Sequence, residues 1–101
     1  MAQFDVYRNP RPSGAARYLL DVQHRLFSHL RTRVVVPLIS AERVKPMTRL
    51  NPIFEVDGEK LMMSTTELAG IATKDIGERV GSLAHERATI IAALDYVFTG
   101  V

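Results

Sequence analysis

The 101-residue sequence contains no cysteine and no tryptophan, and none of its apolar runs approaches the ~20 residues that a membrane-spanning helix requires. Because thiols are absent, a disulfide framework, a thiolate metal site and a cysteine nucleophile are all excluded. The first ten residues, MAQFDVYRNP, lack the charged and apolar regions of a secretory signal. These absences predict a cytoplasmic protein.

The sequence motifs of common catalytic and cofactor sites are also missing. Neither a GxGxxG nor a GxxxxGK[ST] phosphate loop occurs, and there is no GxSxG nucleophile elbow. None of His24, His29 and His85 lies three or four residues from another, which favours surface or packing roles over a metal site. The hydroxyls at 64–66 are typical of a strand end entering a turn, where they satisfy local backbone groups. We therefore expect no cofactor, no metal and no enzymatic activity, and interpret the chain as a binding module.

Composition and charge indicate one soluble globular domain over residues 1–101. The chain is 47% hydrophobic and 24% charged, as folded proteins are. Residues 1–50 carry nine basic and three acidic side chains, a net +6, whereas residues 51–101 carry four basic and eight acidic ones, a net −4. A basic face is one reading of this asymmetry. The favoured reading is that the halves interleave in the fold, because the basic residues are scattered singly.

Hydrophobic periodicity predicts a small α+β domain of antiparallel strands followed by one helix. Asp57-Gly58 lies between two alternating apolar runs and predicts a type I′ hairpin turn. Pro37 cannot donate to a strand ladder and predicts an edge or a bulge. Ser82 is the predicted cap of the helix, with Glu86 in its first turn. The predicted elements are strands over 3–7, 17–23, 32–40 and 68–71, a loop over 8–16, a hairpin over 53–64 and a helix over 82–101.

Several short stretches occur together in the order and spacing of one known family. They are QFxVY from residue 3, LDVQ at 20–23, VVPLxSA at 35–41, MMxTTELA at 62–69, IGERVxxLxHER at 76–87 and a terminal FxG. As a set they resemble the CcdB family, the toxin half of plasmid or chromosomal toxin–antitoxin pairs, and the resemblance covers essentially the whole chain.

The resemblance implies an antiparallel SH3-like barrel sheet of five strands with a small added sheet and a C-terminal helix, the fold shared with MazF-like toxins. It also implies a homodimer that binds the A subunit of DNA gyrase and traps the complex in which DNA is cut. A cognate antitoxin would neutralise the toxin, and the two together would repress their own operon through DNA contacts made by the antitoxin. The biological role implied is plasmid maintenance.

The family's contact residues match two regions of this sequence. The first loop, with three arginines, is expected to receive an acidic antitoxin segment. The implied antitoxin-binding residues are Arg8, Asn9, Arg11 and Arg17. The implied gyrase-binding residues are Leu26, Phe27, Asp95, Phe98, Thr99, Gly100 and Val101.

Two alternatives stay open. Family toxins that poison gyrase end in Trp-Gly-Ile, whereas this chain ends in Thr99, Gly100 and Val101. A homologue inactive on gyrase, or directed to another target, is therefore the second hypothesis. The third is an mRNA endonuclease like the MazF/Kid toxins, with Arg33 and the Thr65/Thr66 region forming part of its site.

Overall fold

A computed structural model describes residues 1–11 and 16–101 of the chain, so that positions 12–15 of the predicted first loop lie outside the described residues. Its strands form one antiparallel sheet, in the order β4-β5-β3-β2-β1-β7, with β6 paired to the first half of β3. The strands are β1 (Asp5–Arg8), β2 (Ala16–Asp21), β3 (Thr32–Ser40), β4 (Ile53–Val56), β5 (Glu59–Met63), β6 (Ala69–Ala72) and β7 (Arg79–Ser82). One helix, α1 (Arg87–Thr99), follows the last strand.

The predicted hairpin is confirmed in its strands and in its turn. Asp57 and Gly58 have φ angles of 53° and 79°, the two positive values that a type I′ turn requires. The short strand predicted at 68–71 is displaced by one residue, to β6.

Of the two predicted alternatives for Pro37, the edge position is wrong, because it lies in the central strand; a register irregularity does occur next to it, where Ala16 and Tyr18 of β2 face Ile39 and Leu38. β3 pairs with β2 along one side, and on its other side it pairs first with β6 and then with β5. The carbonyl of Pro37 accepts from the N–H of Ser64, so its nitrogen points to this second side. The proline therefore falls where β3 changes partners, and the missing N–H interrupts neither ladder.

The helix start predicted at Ser82 is wrong, because residues 79–82 form β7 on the outer side of β1. The side-chain oxygen of Ser82 accepts from the N–H of Ala84 and so begins a 3-10 turn, not the helix itself. Glu86 stands at the N-cap of α1 without a side-chain cap bond. The sequence prediction missed this strand because four residues show too little alternation to outweigh the helical pattern that follows them.

The core lies between the curled sheet and the first half of α1. Ile90 and Ala93 are the fully buried helix residues, and they pack with Leu83 and the inward-facing strand residues. The curl brings the two ends of the sheet together, since a Cβ placed on Gly81 of β7 would lie 3.9 Å from Val56 of β4. No helix within residues 1–11 and 16–101 is long and apolar enough to cross a membrane.

Candidate partner-binding site

The end of α1 presents two large apolar side chains to solvent. Phe98 is 72% exposed and Val101 is 76% exposed, whereas the buried positions of the helix end at Ala93. Gly100 ends the helix with φ 75°, and its N–H donates to the carbonyl of Tyr96 at 2.8 Å. We call residues Asp95, Phe98, Thr99, Gly100 and Val101 the helix tip. Its apolar groups are unexplained by packing within the chain.

Thr99 has a local structural role in the helix tip. Its hydroxyl donates to the carbonyl of Asp95 at 2.7 Å and accepts from the N–H of Val101 at 3.3 Å. The side chain thereby satisfies one carbonyl of the last turn and orients the terminal residue. The side chain of Asp95 is exposed and borders a shallow depression that Ile91 and Ala92 also line.

Within the chain, Gly100 is required by its backbone angle. A Cβ placed on it would meet nothing within 4 Å, so no neighbouring atom of the same chain demands a glycine. Its φ of 75° is the left-handed conformation that commonly ends helices and that side chains disfavour.

The second predicted contact region, Leu26 and Phe27, lies in the 3-10 turn Arg25–Phe27 that follows β2. Leu26 is 70% exposed and Phe27 is 50% exposed. The turn is held from both ends, because His24 Nδ1 accepts from the N–H of Leu26 at 3.1 Å and Gln23 Nε2 donates to the carbonyl of Phe27 at 2.7 Å. Gln23 is itself buried, and its Oε1 accepts from the N–H of Val34 in β3. The fold therefore presents two apolar side chains on an ordered turn.

The four predicted antitoxin-binding residues lie at the ends of the β1–β2 connection and already have partners. Asn9 donates to the carbonyl of Ala16 at 2.8 Å. Each arginine contacts a carboxylate from the acidic half of the sequence, which confirms that the two halves interleave. These ion pairs are Arg8–Glu78 at 2.7 Å, Arg11–Asp75 at 3.8 Å and Arg17–Glu59 at 2.6 Å. They are solvent-exposed, so each contributes little to stability.

A buried polar network lies on the sheet face opposite the helix. Arg33 and Asp21 are 1% and 0% exposed, and two guanidinium nitrogens of Arg33 bind one carboxylate oxygen at 3.1 and 2.5 Å. The other oxygen accepts from the N–H of Gln23 at 3.0 Å. Burial raises the pKa of Asp21, while the hydrogen bonds from Arg33 oppose that rise. Of the buried side-chain polar atoms in the described residues, only Nη1 of Arg33 has no partner.

Asp5 and Tyr7, both in β1, form a second pair of buried polar side chains. The Tyr7 hydroxyl donates to Asp5 at 3.3 Å, and Arg79 of β7 contacts the same carboxylate oxygen at 3.1 Å. Burial, reinforced by the charge of Asp5, raises the pKa of Tyr7 to about 12. No sequence motif pointed to these positions, although an acid within an apolar strand is a signal of a paired buried group.

Arg33 and Thr65, suggested as parts of an RNA-cleaving site, do not form an open pair. Thr65 is fully buried, and its hydroxyl donates to the carbonyl of Leu50 at 2.5 Å. Arg33 is directed to Asp21. Both side chains are used within the chain. The prediction that hydroxyls at 64–66 satisfy local backbone groups holds for Thr65 only through a long 3.4 Å bond to the carbonyl of Met63, because its short bond reaches Leu50 and the hydroxyl of Ser64 donates to the side chain of Glu67. Among residues 1–11 and 16–101, no three His, Asp or Glu side chains come together as a metal site would need.

The fold has well-matched counterparts among solved structures. The toxin MazF-mt6 of Mycobacterium tuberculosis superposes with a TM-score of 0.77 at 15% identity, covering 93% of this chain and 95% of its own. An endoribonuclease from a mycobacterial species, in complex with its cognate antitoxin, also gives 0.77, at 16% identity over 97% of this chain and 94% of its own. The curled antiparallel sheet with a C-terminal helix is therefore the fold of MazF- and CcdB-like toxins.

The sequence identifies the family within this fold. A profile described as CcdB protein matches residues 3–100, nearly the whole chain. The chain belongs to the CcdB family and is thus a toxin of the toxin–antitoxin type.

Proposed function

We propose that this toxin binds the A subunit of DNA gyrase, traps the gyrase–DNA cleavage complex and is neutralised by a cognate antitoxin. The observation that supports the gyrase contact is the helix tip, where Phe98 and Val101 are the two most exposed large apolar side chains of the described residues. Exposed apolar groups on an ordered element mark interaction sites. Leu26 and Phe27 provide the second contact.

The active species is proposed to be a homodimer in which two helix tips lie side by side. A 101-residue chain buries only a modest core, so self-association is a natural supplement to its stability. Asp95 and its symmetry mate would repel each other close to the two-fold axis. Asp95→Asn is therefore expected to strengthen the dimer, as analytical ultracentrifugation over a dilution series would show.

Thr99 determines how strongly the tip can hold gyrase. A tryptophan buries roughly 150–250 Å² on contact, and threonine offers about 100 Å² less. At ~25 cal/mol per Å² that difference is about 2.5 kcal/mol, roughly 70-fold in Kd. The two hydrogen bonds made by the Thr99 hydroxyl fix the conformation of the last residues, but the small threonine side chain offers less contact area.

A gyrase cleavage assay with purified protein tests the proposal. The wild type is expected to convert supercoiled DNA to linear product in the presence of gyrase, and Thr99→Trp to do so at a lower concentration. Phe98→Ser should abolish the effect. Met47→Ser is the matched control, because Met47 is also an exposed apolar side chain but lies in the segment between β3 and β4. Equal activity of the Phe98 and Met47 variants would exclude the helix tip as the contact.

If neither the wild type nor Thr99→Trp traps cleaved DNA, gyrase is not the target. Toxicity on overexpression would then mean that the protein acts on something else. If the wild type is harmless and Thr99→Trp is toxic, the helix tip of the wild type lacks the large side chain needed to bind gyrase.

The proposed antitoxin is supported by the family and by a neighbour of the same fold that was solved with its cognate antitoxin. An acidic segment could exchange with the exposed carboxylates that now contact Arg8, Arg11 and Arg17. Charge reversal of these arginines should weaken the toxin–antitoxin complex in calorimetry at low salt. No change would place the antitoxin elsewhere.

RNA cleavage is the second candidate, favoured by the fold shared with endoribonucleases. The burial of Arg33 and Thr65 argues against the site suggested by the sequence, in which only Thr66 is exposed. Incubation with single-stranded RNA decides the matter, because sequence-specific cuts would establish an enzyme. Deletion of residues 99–101 separates the two functions, since it removes the gyrase contact and leaves an RNA site on the sheet intact.

A further inference from the structure

The C-terminal end of α1 carries negative charge and lacks a cation of its own. The last carbonyl groups of a helix are the negative end of its dipole, and the carboxylate of Asp95 lies close to them in the chain. No basic residue occurs in the last turn, and the only basic side chain of α1 is Arg87, at the opposite end. A positive charge brought to this end from elsewhere in the fold would therefore be favourable.

Arg49, from the segment between β3 and β4, brings such a charge. Its guanidinium carbon lies 4.7 Å from the centroid of the Tyr96 ring in α1, well within the ~6 Å range of a cation–π contact. The other contacts of this kind within residues 1–11 and 16–101 are longer, at 5.7 to 6.0 Å. Among the same residues, no carboxylate oxygen lies within 4.0 Å of Arg49, so its charge is not neutralised by an ion pair.

The segment that carries Arg49 is fixed to the sheet on the C-terminal side of this residue. The carbonyl of Leu50 accepts from the hydroxyl of buried Thr65, and the side-chain amide of Asn51 donates to the carbonyl of Met63 in β5 at 3.1 Å. Arg49 is itself exposed, whereas the residues that follow it are bonded to β5 and to the turn after β5. The sheet therefore determines where its guanidinium meets the helix.

Tyr96 links this contact to the helix tip through the backbone. Its carbonyl accepts from the N–H of Gly100 at 2.8 Å, and this bond closes the end of the helix. A ring held against Arg49 restrains the last turn in helical geometry and so favours the closed bond. Phe98 and Val101 follow Tyr96 in the chain, so the direction of both side chains depends on that turn.

We propose that Arg49 is a positioning residue that holds the end of α1 in place and thereby orders the helix tip. It contributes a charge that complements the C-terminus of the helix and a planar group that stacks on Tyr96. Neither Arg49 nor Tyr96 belongs to the helix tip or to the proposed antitoxin contact. The role of Arg49 rests on the proposed function only in that the ordered tip is the proposed gyrase contact.

Amide hydrogen exchange, followed residue by residue by NMR on the purified protein, tests this role. The reporter is the N–H of Gly100, whose exchange requires the bond to Tyr96 to open. In Arg49→Gln, exchange at Gly100 should be faster by roughly two- to fivefold, the size of an exposed cation–π contact. A contact with no role at the tip would instead accelerate only the amides of buried Ile90 and Ala93, which need a larger opening.

Further variants separate the charge, the ring and the position. Arg49→Lys keeps the charge and should restore part of the protection at Gly100. Tyr96→Leu removes the ring, and adding Arg49→Gln to it should change the exchange little further, because both residues act through one contact. The matched control is Arg87→Gln, which removes an equal charge and a contact of the same type, 5.7 Å over the ring of Phe4, from the start of α1. It should leave exchange at Gly100 unchanged.

Three exchange results would each overturn the proposal. They are an unchanged rate at Gly100 in Arg49→Gln, an equal acceleration in Arg87→Gln, and a full effect of Arg49→Gln in the Tyr96→Leu background. None of these measurements contains gyrase, so a protein that fails to bind gyrase loses the proposed function while the exchange rates still decide the role of Arg49.

Affinity for the gyrase A subunit adds a limit that a positioning residue must obey. A residue that only orders the helix tip cannot lower the affinity by a larger factor than it raises the opening equilibrium of the tip. A loss of affinity in Arg49→Gln that exceeds the acceleration at Gly100 would make Arg49 a direct contact and would overturn its positioning role. A loss within that factor supports it.

Discussion

Arg33 offers a test of whether the buried polar network is structural, and Arg33→Met is the informative change. Methionine fills nearly the same volume as arginine, so the substitution leaves little cavity. It leaves the carboxylate of Asp21 buried, with only the N–H of Gln23 as a donor. The double variant Asp21→Val/Arg33→Met removes both charges at once.

The magnitude follows from the burial of the pair. Removing one partner of a fully buried ion pair costs about 3–5 kcal/mol, and Arg33 and Asp21 are 1% and 0% exposed. At about 4–8 °C per kcal/mol for a domain of this size, Tm should fall by roughly 12–40 °C. The double variant should be markedly more stable than the single one, because no unpaired charge remains.

The loss of stability caused by Arg33→Met should become smaller as the pH falls. Burial already raises the pKa of Asp21, and the opposing effect of Arg33 is lost in the variant. A carboxyl whose pKa is higher in the folded state than in the unfolded state loses stability as pH rises and regains it as pH falls. The variant should therefore recover towards the double variant between neutral pH and the unfolded value of 3.8.

Urea unfolding followed by circular dichroism, at one fixed protein concentration, measures these differences. The reasoning is refuted if Arg33→Met stays within about 1 kcal/mol of wild type, or if its deficit is the same in acid as at neutral pH. A variant that folds normally but loses RNA cleavage would make Arg33 a functional residue.

Three further predictions concern single positions. Tyr7→Phe should remove an alkaline loss of stability: the pKa of Tyr7 lies at about 12 in the fold against 10.0 in the unfolded chain, so the wild type loses up to about 2.7 kcal/mol between those pH values. Urea midpoints measured across that interval check this, and parallel curves for the two proteins would contradict it. Gly77→Ala should destabilise, because its Cβ would lie 2.7 Å from the carbonyl oxygen of Arg8. Gly100→Ala should cost about 1 kcal/mol through its positive φ and should weaken any contact made by the helix tip. For both glycines the control is Gly70→Ala, whose Cβ has free space. If Gly70→Ala lowers Tm as much as Gly77→Ala or Gly100→Ala does, the close contact of Gly77 and the positive φ of Gly100 do not explain the losses.

Both predicted contact regions are ordered by hydrogen bonds within the chain. Leu26 and Phe27 depend on the side chain of buried Gln23, which links the turn to β3. Phe98 and Val101 depend on the cap made by Thr99 and Gly100. Each region is thus ordered before a partner arrives, which reduces the entropy lost on binding.

Local chemistry made most strands predictable. The Asp57-Gly58 turn, the β-branched run of β3 and the alternation around residue 5 each specify an extended segment without outside help. β7 was missed because its four residues precede a strong helical pattern and acquire strand geometry only by pairing with β1. The residues of the helix tip were predicted from the family resemblance, and the structure shows that Phe98 and Val101 are exposed beyond the last buried helix residue.

By itself the sequence determined the family, the hairpin, the main strands and the apolar character of the chain's end, since these depend on residue order and on neighbours close in the chain. The tertiary structure alone decided which charges are neutralised. Arg33 meets Asp21, and Arg8 meets Glu78 across 70 positions of sequence, whereas Arg25 and Arg31 meet no carboxylate in the described residues. Charge pairing acts over a few ångströms between strands distant in sequence, so only the curled sheet could reveal which cations remain free for a partner.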